Sequence, residues 1–448
     1  MTASRPGWHH LGDLLAGAPR QSTALIVDRA PVTYGELDDL VAARVGGISG
    51  RVVPVTGVNT LEFVVTMLAA ARAGAVVAPL DPALPEAERA RRLALLDDPA
   101  GLRDGDAMIM LTSGTTGTPK LVPWTHESLS AGVHAVVDSY GLTAQDATVA
   151  VMPLFHGHGL VATLLATLTS RGTVLLPAAG RFSAHTFAAD MAAANATWYT
   201  AVPTIHQIVV RRGDPLPPLR FIRSCSAPLR PDLVSELEQR FDTRVLAAYG
   251  MTETTHQAAS VRLGADAQTR RDTVGAPSGL QVRIINGEIC FRGPTVMRGY
   301  LGADPADPFA DGWLRTGDLG AVDPDGNLIV TGRCKNLINR GGEKISPEHV
   351  EQVLAGCPGV LQAAVVGVPD ALYGEQVAAA AVITADTDLD RIAEHCRALL
   401  APFEIPQRVV AVPALPQTPK GDVDRATLAA MMVGEFPTRV PGPACSAG

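Results

Sequence analysis

A loop made of hydroxyl side chains, glycine and lysine constrains this chain more than any other feature. It occupies residues 111–120, which read Leu-Thr-Ser-Gly-Thr-Thr-Gly-Thr-Pro-Lys and follow the apolar run 107–111. Gly114 and Gly117 permit backbone angles that turn successive N–H groups toward one anion, and Lys120 adds a full positive charge. A strand followed by such a loop is the usual place for a phosphate site in an α/β sheet.

The loop is not a Walker P-loop, because the spacing G-x-x-x-x-G-K-[ST] is absent. A polar surface turn is the alternative interpretation, and the strand that precedes the loop favours phosphate binding over it. The residues expected to bind phosphate are Thr112, Ser113, Gly114, Thr115, Thr116, Gly117, Thr118 and Lys120.

Helices and strands alternate on both sides of this loop. Thr33 and Glu36 form a capping-box pattern that opens a helix, and Ser346, Pro347 and Glu348 supply the N-cap, the first-turn proline and the acidic residue of another. Apolar spacing predicts a helix over residues 61–73. Val76 and Val77 favour a strand over residues 75–79. The remaining expected elements are strands at 147–152, 172–176 and 363–368 and helices from about 85 and at 160–170, 184–194 and 388–400. The alternation predicts an α/β fold with parallel or mixed sheets covered by helices.

Length and composition exclude several classes of protein. A chain of 448 residues is too long for one core, and 47% hydrophobic with 18% charged residues is typical of a globular enzyme. The net charge of −8 gives no support to nucleic-acid binding, and the longest apolar runs are far too short to span a membrane. Six cysteines show no zinc or disulfide spacing, and no secretory signal is apparent, so a cytoplasmic location is expected.

Three further motifs follow in a fixed order. They are Tyr-Gly-Met-Thr-Glu at 249–253, Trp-Leu-Arg-Thr-Gly-Asp at 313–318, and Gly-Arg-Cys-Lys at 332–335. Together with the phosphate loop they resemble the adenylate-forming superfamily, which includes acyl-CoA synthetases, peptide-synthetase adenylation domains and luciferase. The resemblance covers roughly residues 20–425 and implies an AMP-forming ligase.

The same resemblance implies a domain organisation. A large N-terminal adenylating domain is expected over residues 1–334, and a small mobile α+β domain over 335–432 that rotates about the hinge Lys335. The phosphate loop comes early in the chain, and the short segment 97–106 before it implies a shortened N-terminal subdomain. From residue 433 onward the Pro/Gly-rich tail is expected to be disordered.

Nucleotide binding is assigned to the motifs. An aromatic ring can stack on adenine, a hydroxyl can bond the α-phosphate and a carboxylate can hold Mg²⁺, although a strand end with a helix N-cap at Thr252 would have the same sequence. The resemblance implies that Glu253 binds the metal, Asp318 the ribose hydroxyls, and Arg333 the ribose or phosphate. The other expected nucleotide contacts are Ser226, Ala227, Pro228, Tyr249, Gly250, Met251 and Thr252.

The acid site is expected around a group of histidines. By resemblance His156 gates the acyl pocket, and His158 or His256 could face the carboxylate. Residues 221–229, 251–257 and 339–347 are similar to the oxalate–CoA ligase branch of the superfamily. Trp198, Thr200 and Ser224 complete the candidate pocket, whose mixed polar and aromatic character favours a small polar or aryl acid over a long fatty chain.

One family residue is displaced. Relatives carry a C-terminal lysine after a glycine in the pattern Pro-x-Thr-x-x-Gly-Lys, where it bridges carboxylate and α-phosphate. Here the segment 416–425 places Asp422 at that position and Lys420 two residues earlier. Residues two apart in an extended chain share a face and lie roughly 6–7 Å apart, so Lys420 is expected to take over the role. An altered or degraded adenylation step is the alternative.

The function expected from these residues is acid–CoA ligation. ATP and a carboxylate give acyl-AMP and pyrophosphate, and CoA then displaces AMP. One alternative is an adenylating enzyme with another acceptor, which loads a carrier protein, forms an amide, or uses a nitrogen nucleophile as the ATP-dependent diazotases do. Another is a non-catalytic nucleotide-binding relative, which Asp422 permits but the complete phosphate, ribose and metal motifs oppose. A monomer or homodimer is expected.

Overall fold

The computed structural model describes residues 8–112, 119–303, 305, 307–417 and 423–433. Its strands are β1 Thr23–Val27, β2 Ala30–Thr33, β3 Val52–Thr56, β4 Val76–Leu80, β5 Asp106–Thr112, β6 Lys120–Thr125, β7 Ala147–Val149, β8 Thr173–Leu176, β9 Trp198–Ala201, β10 Phe221–Ser224, β11 Val245–Tyr249, β12 Ala259–Ser260, β13 Ala276–Pro277, β14 Gln281–Ile285, β15 Glu288–Arg292, β16 Phe309–Ala310, β17 Trp313–Val322, β18 Leu328–Arg333, β19 Ile338–Arg340, β20 Glu343–Ile345, β21 Val360–Asp370, β22 Gly374–Ile383 and β23 Arg408–Ala411.

Helices follow most of these strands. They are α1 Tyr34–Val45, α2 Leu61–Arg72, α3 Glu86–Leu96, α4 His126–Tyr140, α5 Ala166–Thr169, α6 Phe187–Ala193, α7 Pro203–Arg212, α8 Pro231–Phe241, α9 Ala267–Asp272, α10 Pro347–Ala355, α11 Leu389–Leu399 and α12 Arg425–Val433. A π-helical segment covers His158–Leu165, and 3₁₀ turns cover Leu11–Asp13, Thr252–Thr254 and Cys334–Asn336.

The chain divides into two compact units. Unit 1 contains Met1–Arg283, Cys290–Arg315 and Val322–Ile329, and unit 2 contains Ile284–Ile289, Thr316–Ala321 and Val330–Gly448. One further sheet has the order β14-β15-β17-β16, and β18 also pairs with β17. Within the described residues, no helix is both long and apolar enough to span a bilayer.

Unit 1 is built on three sheets of the kind that the alternation predicted. Their orders are β2-β1-β8-β7, β3-β4-β5-β6 and β13-β12-β11-β10-β9. Strands β9, β10 and β11 run parallel, as do β3, β4 and β5, whereas β5 and β6 are antiparallel. Strands β4, β5, β9, β10 and β11 are mostly buried and consist largely of apolar residues, whereas β3 is only partly buried.

Unit 2 has its own sheet and its own core. The sheet order is β20-β19-β22-β21, with β23 parallel to β22. Strands β21 and β22 form a long antiparallel pair that buries Val365, Val377 and their neighbours against α10 and α11. The predicted α+β composition of this region follows from one antiparallel sheet with helices packed on it.

Helix starts agree with the sequence prediction. Thr33 accepts from the Glu36 N–H while the Glu36 carboxylate accepts from the Thr33 N–H, so the predicted capping box forms. Ser346 caps α10 with Pro347 at the first helical position. These signals are local in the sequence, and four orphan N–H groups at each helix start need partners wherever the helix packs.

Several boundaries differ from the prediction. The strand expected at 147–152 ends at Val149, and the helix expected at 160–170 is π-helical through Leu165 before α5 begins. Apolar spacing cannot separate these helix types, since both bury one face. Val433 is the last residue of α12 and not the first of a tail, and residues 434–448 lie outside the described part of the chain.

Candidate functional site

The 249–253 motif leaves the end of a central strand. β11 ends at Tyr249, and a single 3₁₀ turn covers Thr252–Thr254. Gly250 is required here, because a Cβ at this position would lie 1.6 Å from the carbonyl oxygen of His256. The Trp124 indole N–H donates to the Thr252 carbonyl oxygen at 2.8 Å and fixes the turn. The motif is therefore a turn held in place at the carboxyl end of a parallel sheet, where ligands of α/β proteins usually bind.

Tyr300 connects the motif carboxylate with the phosphate-loop lysine. Its hydroxyl donates to Glu253 Oε1 at 2.8 Å. The Lys120 ammonium donates to the Tyr300 hydroxyl oxygen at 3.4 Å and lies 4.5 Å from the centre of the Tyr300 ring. Burial and the adjacent Glu253 carboxylate raise the pKa of Tyr300 above its usual range. The phenol therefore stays protonated and keeps donating to Glu253.

Glu253 fits the role of a magnesium ligand. It is 8% exposed, and its hydrogen-bond donor is a neutral hydroxyl, so its charge stays available. Mg²⁺ usually takes one or two protein carboxylates and completes its shell with water and substrate phosphates. The described residues contain no cluster of three or more metal-binding side chains, and one carboxylate linked through Tyr300 to Lys120 satisfies that pattern.

The predicted adenine contacts lie on an exposed turn. Ser226, Ala227 and Pro228 follow β10 after the buried Cys225, and all three are exposed. Ser226 has a φ of +73°, a backbone conformation that costs energy for a residue with a side chain and that is concentrated at functional sites. Tyr249 is half-buried, with its ring 6.1 Å from Phe291. Stacking of adenine on this ring remains a prediction.

A polar cluster surrounds an arginine that is completely buried in β10. Arg223 is 0% exposed. Its guanidinium donates to five neutral side chains, which are Tyr140 Oη (2.9 Å), Thr200 Oγ1 (3.1 Å), His158 Nε2 (3.3 Å), His256 Nε2 (3.1 Å) and Gln257 Oε1 (3.0 Å). The two imidazole rings lie 5.3 Å apart and nearly parallel, and His158 Nδ1 lies 3.1 Å from the exposed Ser226 hydroxyl. This set is called the Arg223 cluster below.

The structure brings together some of the predicted acid-site residues and separates others. His158, Thr200 and His256 all belong to the Arg223 cluster. Trp198 is fully buried and stacks on Phe221 at 5.3 Å. Ser224 follows Arg223 in the same strand, so its side chain points to the opposite face of the sheet.

His156 lies outside the cluster. It is exposed, and its ring meets Phe155 edge-on at 4.7 Å between centres. Its predicted gating role stays a prediction.

Unit 2 contributes a pair of opposite charges. Arg333 Nε lies 3.0 Å from Asp318 Oδ1, and the two side chains are 56% and 9% exposed. The Gly317 N–H donates to the Glu288 carboxylate at 2.8 Å and the Asp318 N–H to Thr316 Oγ1 at 3.0 Å. Asp318 is thus fixed in a tight turn, while Arg333 reaches it from the exposed end of β18. Lys335 follows in an exposed 3₁₀ turn.

Several predicted site residues lie outside the described residues. These are Ser113, Gly114, Thr115, Thr116, Gly117 and Thr118 of the phosphate loop and Lys420 and Asp422 of the C-terminal motif. Gln417 and Val423, which flank the C-terminal motif residues, form an antiparallel bridge.

Two residues of the site were missed in the sequence. An arginine within the apolar strand Phe-Ile-Arg-Ser is a detectable signal, because an unpaired charge is rarely buried without a reason. Tyr300 offers no comparable signal, since the residues that it joins are far away along the chain.

Comparison with known proteins identifies the family. The model of the AMP-binding enzyme family matches residues 15–98 and 96–301, and that of the AMP-binding enzyme C-terminal domain matches 349–422. The first match breaks beside segment 97–106, where a shortened subdomain was predicted. The chain belongs to the AMP-binding enzyme family, so the recognition from its motifs is confirmed.

Curated relatives cover most of the chain. An oxalate–CoA ligase of Arabidopsis thaliana is 40% identical over 477 residues, which is 89% of this chain and 93% of that protein. A probable CoA ligase of Humulus lupulus is 40% identical over 472 residues, 89% of this chain and 90% of the relative. A sulfoacetate–CoA ligase of Cupriavidus necator is 39% identical and covers 72% of this chain and 67% of its own length.

Solved structures share the fold. ATP-bound MatB from Rhodopseudomonas palustris has a TM-score of 0.82 at 26% identity and covers 94% of this chain and 98% of its own. The o-succinylbenzoate coenzyme A synthetase MenE from Bacillus subtilis, in complex with ATP and magnesium ion, has the same TM-score and identity, with 94% and 99% covered. The predicted α/β architecture with a separate C-terminal domain is confirmed.

Proposed function

We propose that this family member is an AMP-forming acid–CoA ligase that acts on a small, polar carboxylic acid. The single observation that carries the proposal is the contact of Glu253 and Lys120 with one hydroxyl, that of Tyr300. It joins the carboxylate and the cation that a triphosphate–metal complex needs. The names of the relatives, which are ligases for oxalate and sulfoacetate, support a small acid.

In the first half-reaction the acid attacks the α-phosphate of ATP and pyrophosphate leaves. Lys120 and the Thr252 hydroxyl would hold phosphate oxygens, and Glu253 would hold Mg²⁺. When bound, the metal ion neutralises the charge that develops on the phosphates. Asp318 would accept both ribose hydroxyls, an arrangement that suits a carboxylate. Positioning and electrostatics of this kind account for most of the catalysis in phosphoryl-transfer enzymes.

The side chains of the Arg223 cluster are the reason for proposing a polar acid. His158, His256 and Thr200 present nitrogen and oxygen atoms, whereas a fatty chain would need an apolar channel. A Cβ at Gly157 would lie 3.3 Å from the His256 Cβ and 3.2 Å from the Trp124 ring, so the space beside His256 is narrow. This dimension favours a small acid over a bulky aryl acid.

For the second half-reaction we propose that CoA is the acceptor and that unit 2 rotates about Lys335. The support is the exposed position of Lys335 between β18 and β19. A Lys335→Pro variant, in which φ is fixed, should still form adenylate but make less final product. Equal loss of both steps would contradict rotation. We also propose a cytoplasmic location, because the six cysteines show no disulfide spacing.

Pyrophosphate release across a panel of acids, with and without CoA, tests the proposal. Mass spectrometry of the products then identifies the acceptor. Release with a small polar acid and an acyl-CoA product support the function. Release without any thioester product would favour the carrier-protein, amide or nitrogen-nucleophile alternatives. No release with any acid would favour a non-catalytic relative.

A further inference from the structure

A short segment of unit 1, residues 297–302, runs from the Tyr-Gly-Met-Thr-Glu motif to strand β6. The Met297 N–H donates to the Glu253 carbonyl oxygen at 2.8 Å. The Leu301 N–H donates to the Leu121 carbonyl oxygen at 2.9 Å and forms an isolated antiparallel bridge there. Because β6 begins at the phosphate-loop lysine, the 297–302 segment joins the two elements to which the proposed function assigns the metal ion and the phosphates.

Within this segment Tyr300 contacts both charged groups of the nucleotide site. Its hydroxyl donates to Glu253 and accepts from Lys120. The phenol thus lies between an anion and a cation that would act on one magnesium–triphosphate complex. It can hold them at a constant separation only if the backbone that carries it is itself fixed.

Arg298, two residues before the tyrosine, fixes that backbone to the start of β5. Its Nε and Nη2 donate to the two carboxylate oxygens of Asp106 at 3.3 Å and 2.5 Å, and Nη2 also donates to the Gly101 carbonyl oxygen at 3.0 Å. The Asp106 side chain is 0% exposed, and that of Arg298 is 22% exposed. Removing one partner from a buried pair leaves an uncompensated charge and is strongly destabilising, so this contact does not open as an exposed pair can.

Gly299 lies between the arginine and the tyrosine and lets the chain turn there. Its φ of +127° is a conformation that residues with side chains rarely adopt. A Cβ at this position would meet nothing within 4 Å, so glycine is needed for the backbone angle and not for space. Beyond Tyr300, the Gly302 N–H donates to the Ala100 carbonyl oxygen at 3.0 Å. The segment is thus held on both sides of Tyr300.

We propose that Arg298 is a positioning residue for the adenylation half-reaction. Paired with Asp106, it fixes the segment that carries Tyr300. Tyr300 then keeps Glu253 and Lys120 in place, so that both act on one magnesium–triphosphate complex. This inference rests on the proposed function and extends it to residues that touch neither substrate nor metal. Loss of the anchor should weaken the use of Mg²⁺ and ATP and leave acid recognition unchanged.

Arg298→Met tests the anchor, with Arg270→Met as its matched control. Arg270 has equivalent contacts elsewhere in unit 1: its Nε and Nη2 donate to the Glu238 carboxylate at 2.8 Å and 3.3 Å, and its Nη1 donates to the Ala265 carbonyl oxygen at 2.8 Å. Arg298→Met should raise the Mg²⁺ concentration for half-maximal pyrophosphate release by about 3- to 30-fold, the range of residues that act through a contact network. KM for the acid should change little.

The control variant should change neither quantity, although it loses a comparable ion pair. A purely structural role would lower the activity of both variants with their stability and would leave the Mg²⁺ dependence where it is. That outcome contradicts the proposal. Arg298→Lys should recover part of the Mg²⁺ affinity, because an ammonium can pair with Asp106 but cannot reproduce the planar fork of donors.

Combination with Tyr300→Phe tests whether Arg298 acts through Tyr300. If it does, the double variant should need about the same Mg²⁺ concentration as Tyr300→Phe alone, since the contact that Arg298 positions is already absent. Two shifts that multiply would mean that the residues act independently, which overturns the proposed route.

Gly299→Ala keeps the proposal testable if Arg298→Met does not fold, because it disturbs the same segment and leaves no charge unpaired. It should raise the Mg²⁺ requirement in the same direction. Gly17→Ala, at a glycine with a φ of +67° and nothing within 4 Å of its Cβ position, is the control for backbone strain elsewhere in unit 1. An unchanged Mg²⁺ requirement in Gly299→Ala would overturn the proposal.

Calorimetric binding of MgATP without any acid separates this inference from the proposed function. Weaker binding by Arg298→Met than by Arg270→Met supports the positioning role even if no acid releases pyrophosphate, a result that would contradict the acid–CoA ligase function alone. Equal binding by the two variants overturns the positioning role even if the wild-type chain makes acyl-CoA.

Discussion

Two arginines of this molecule differ in burial and in the partners of their positive charge. Arg223 in unit 1 is fully buried and surrounded by neutral acceptors, whereas Arg333 in unit 2 is mostly exposed and pairs with Asp318 at 3.0 Å. A buried cation held by many hydrogen bonds cannot rearrange cheaply. An exposed ion pair contributes about 0–1 kcal/mol and can open. The first arrangement is fixed by its hydrogen bonds, and the second can open at low cost.

The two carboxylates of the nucleotide motifs, like the two arginines, differ in their partners. Glu253 and Asp318 are similarly buried, at 8% and 7% exposure. Glu253 accepts from the neutral Tyr300 hydroxyl, while Asp318 faces the Arg333 cation. In the proposed function Glu253 is not engaged by a cation and is available to a metal ion, whereas Asp318 would give up part of its ion pair on accepting ribose hydroxyls. Substitutions in unit 1 should accordingly have the larger effects.

Glu253→Gln should have the largest effect. It removes the charge that would hold Mg²⁺ and leaves the size and the Tyr300 contact in place. Loss of a preorganised charge at a reacting phosphate costs about 100-fold or more in turnover. Pyrophosphate release measures this loss, and circular dichroism checks the fold. Glu236→Gln, on the exposed surface of α8, is the matched control. Wild-type turnover in Glu253→Gln would remove the metal assignment.

Tyr300→Phe comes next. It deletes the hydroxyl that orients Glu253 and contacts Lys120. Partners of metal ligands typically contribute 10- to 100-fold to metal affinity or activity, so the Mg²⁺ concentration needed for half-maximal adenylation should rise by about that factor. Tyr373→Phe, which is 46% exposed in unit 2, is the control. An unchanged Mg²⁺ dependence would mean that Tyr300 is only a packing residue.

Lys420→Ala should slow adenylation by at least about tenfold, because charge-assisted hydrogen bonds contribute roughly 1.5–3 kcal/mol each. The second half-reaction, started from synthetic acyl-adenylate, should be nearly unaffected. Single-turnover assays of each step distinguish the two. If Lys344→Ala loses adenylation and Lys420→Ala does not, the lysine role belongs to the 339–347 segment. A large gain in Asp422→Lys would show that the natural enzyme is attenuated at this step.

Local signals in the sequence predicted much of the fold. The Thr33–Glu36 capping box and the Ser346-Pro347 helix start depend on residues within three positions of one another, so the sequence alone predicts them. The sequence did not predict the π-helical segment at His158. Its backbone register depends on tertiary packing: a Cβ at Gly159 would lie 2.3 Å from the Pro153 carbonyl oxygen.

The candidate site divides in the same way. Glu253 and Asp318 were assigned from motifs whose residue types match their tasks. Arg223 and Tyr300 were not, because their partners come from distant elements: Arg223 contacts residues of α4, β9, the π-helical segment and the 256–257 turn. Pairing across the fold, rather than residue type, gives them their roles. Sequence patterns of one chain contain no information on such pairing.

Asp318→Ala tests the exposed ion pair of Asp318 with Arg333. The variant loses the acceptor for both ribose hydroxyls, so ATP affinity should fall by at least about tenfold, the loss expected for one charge-assisted hydrogen bond. Equilibrium ATP binding measures the change directly. Acid binding, which we propose for the Arg223 cluster in unit 1, should be unaffected. Unchanged ATP affinity would mean that Asp318 only forms the turn after Gly317.

Arg333→Met should have the smallest effect on stability, which is measured apart from any loss of the nucleotide contact predicted for this residue. An ion pair with one partner 56% exposed contributes about 0–1 kcal/mol, so the thermal unfolding midpoint should shift by less than about 4 °C. Arg271→Met, in the exposed last turn of α9, gives the baseline for losing a surface cation. A much larger shift would show that Arg333 holds unit 2 together. The pair with Asp318 would then be a fixed structural contact, and the contrast with Arg223 would fail, because neither arginine could exchange its partner for a nucleotide at low cost.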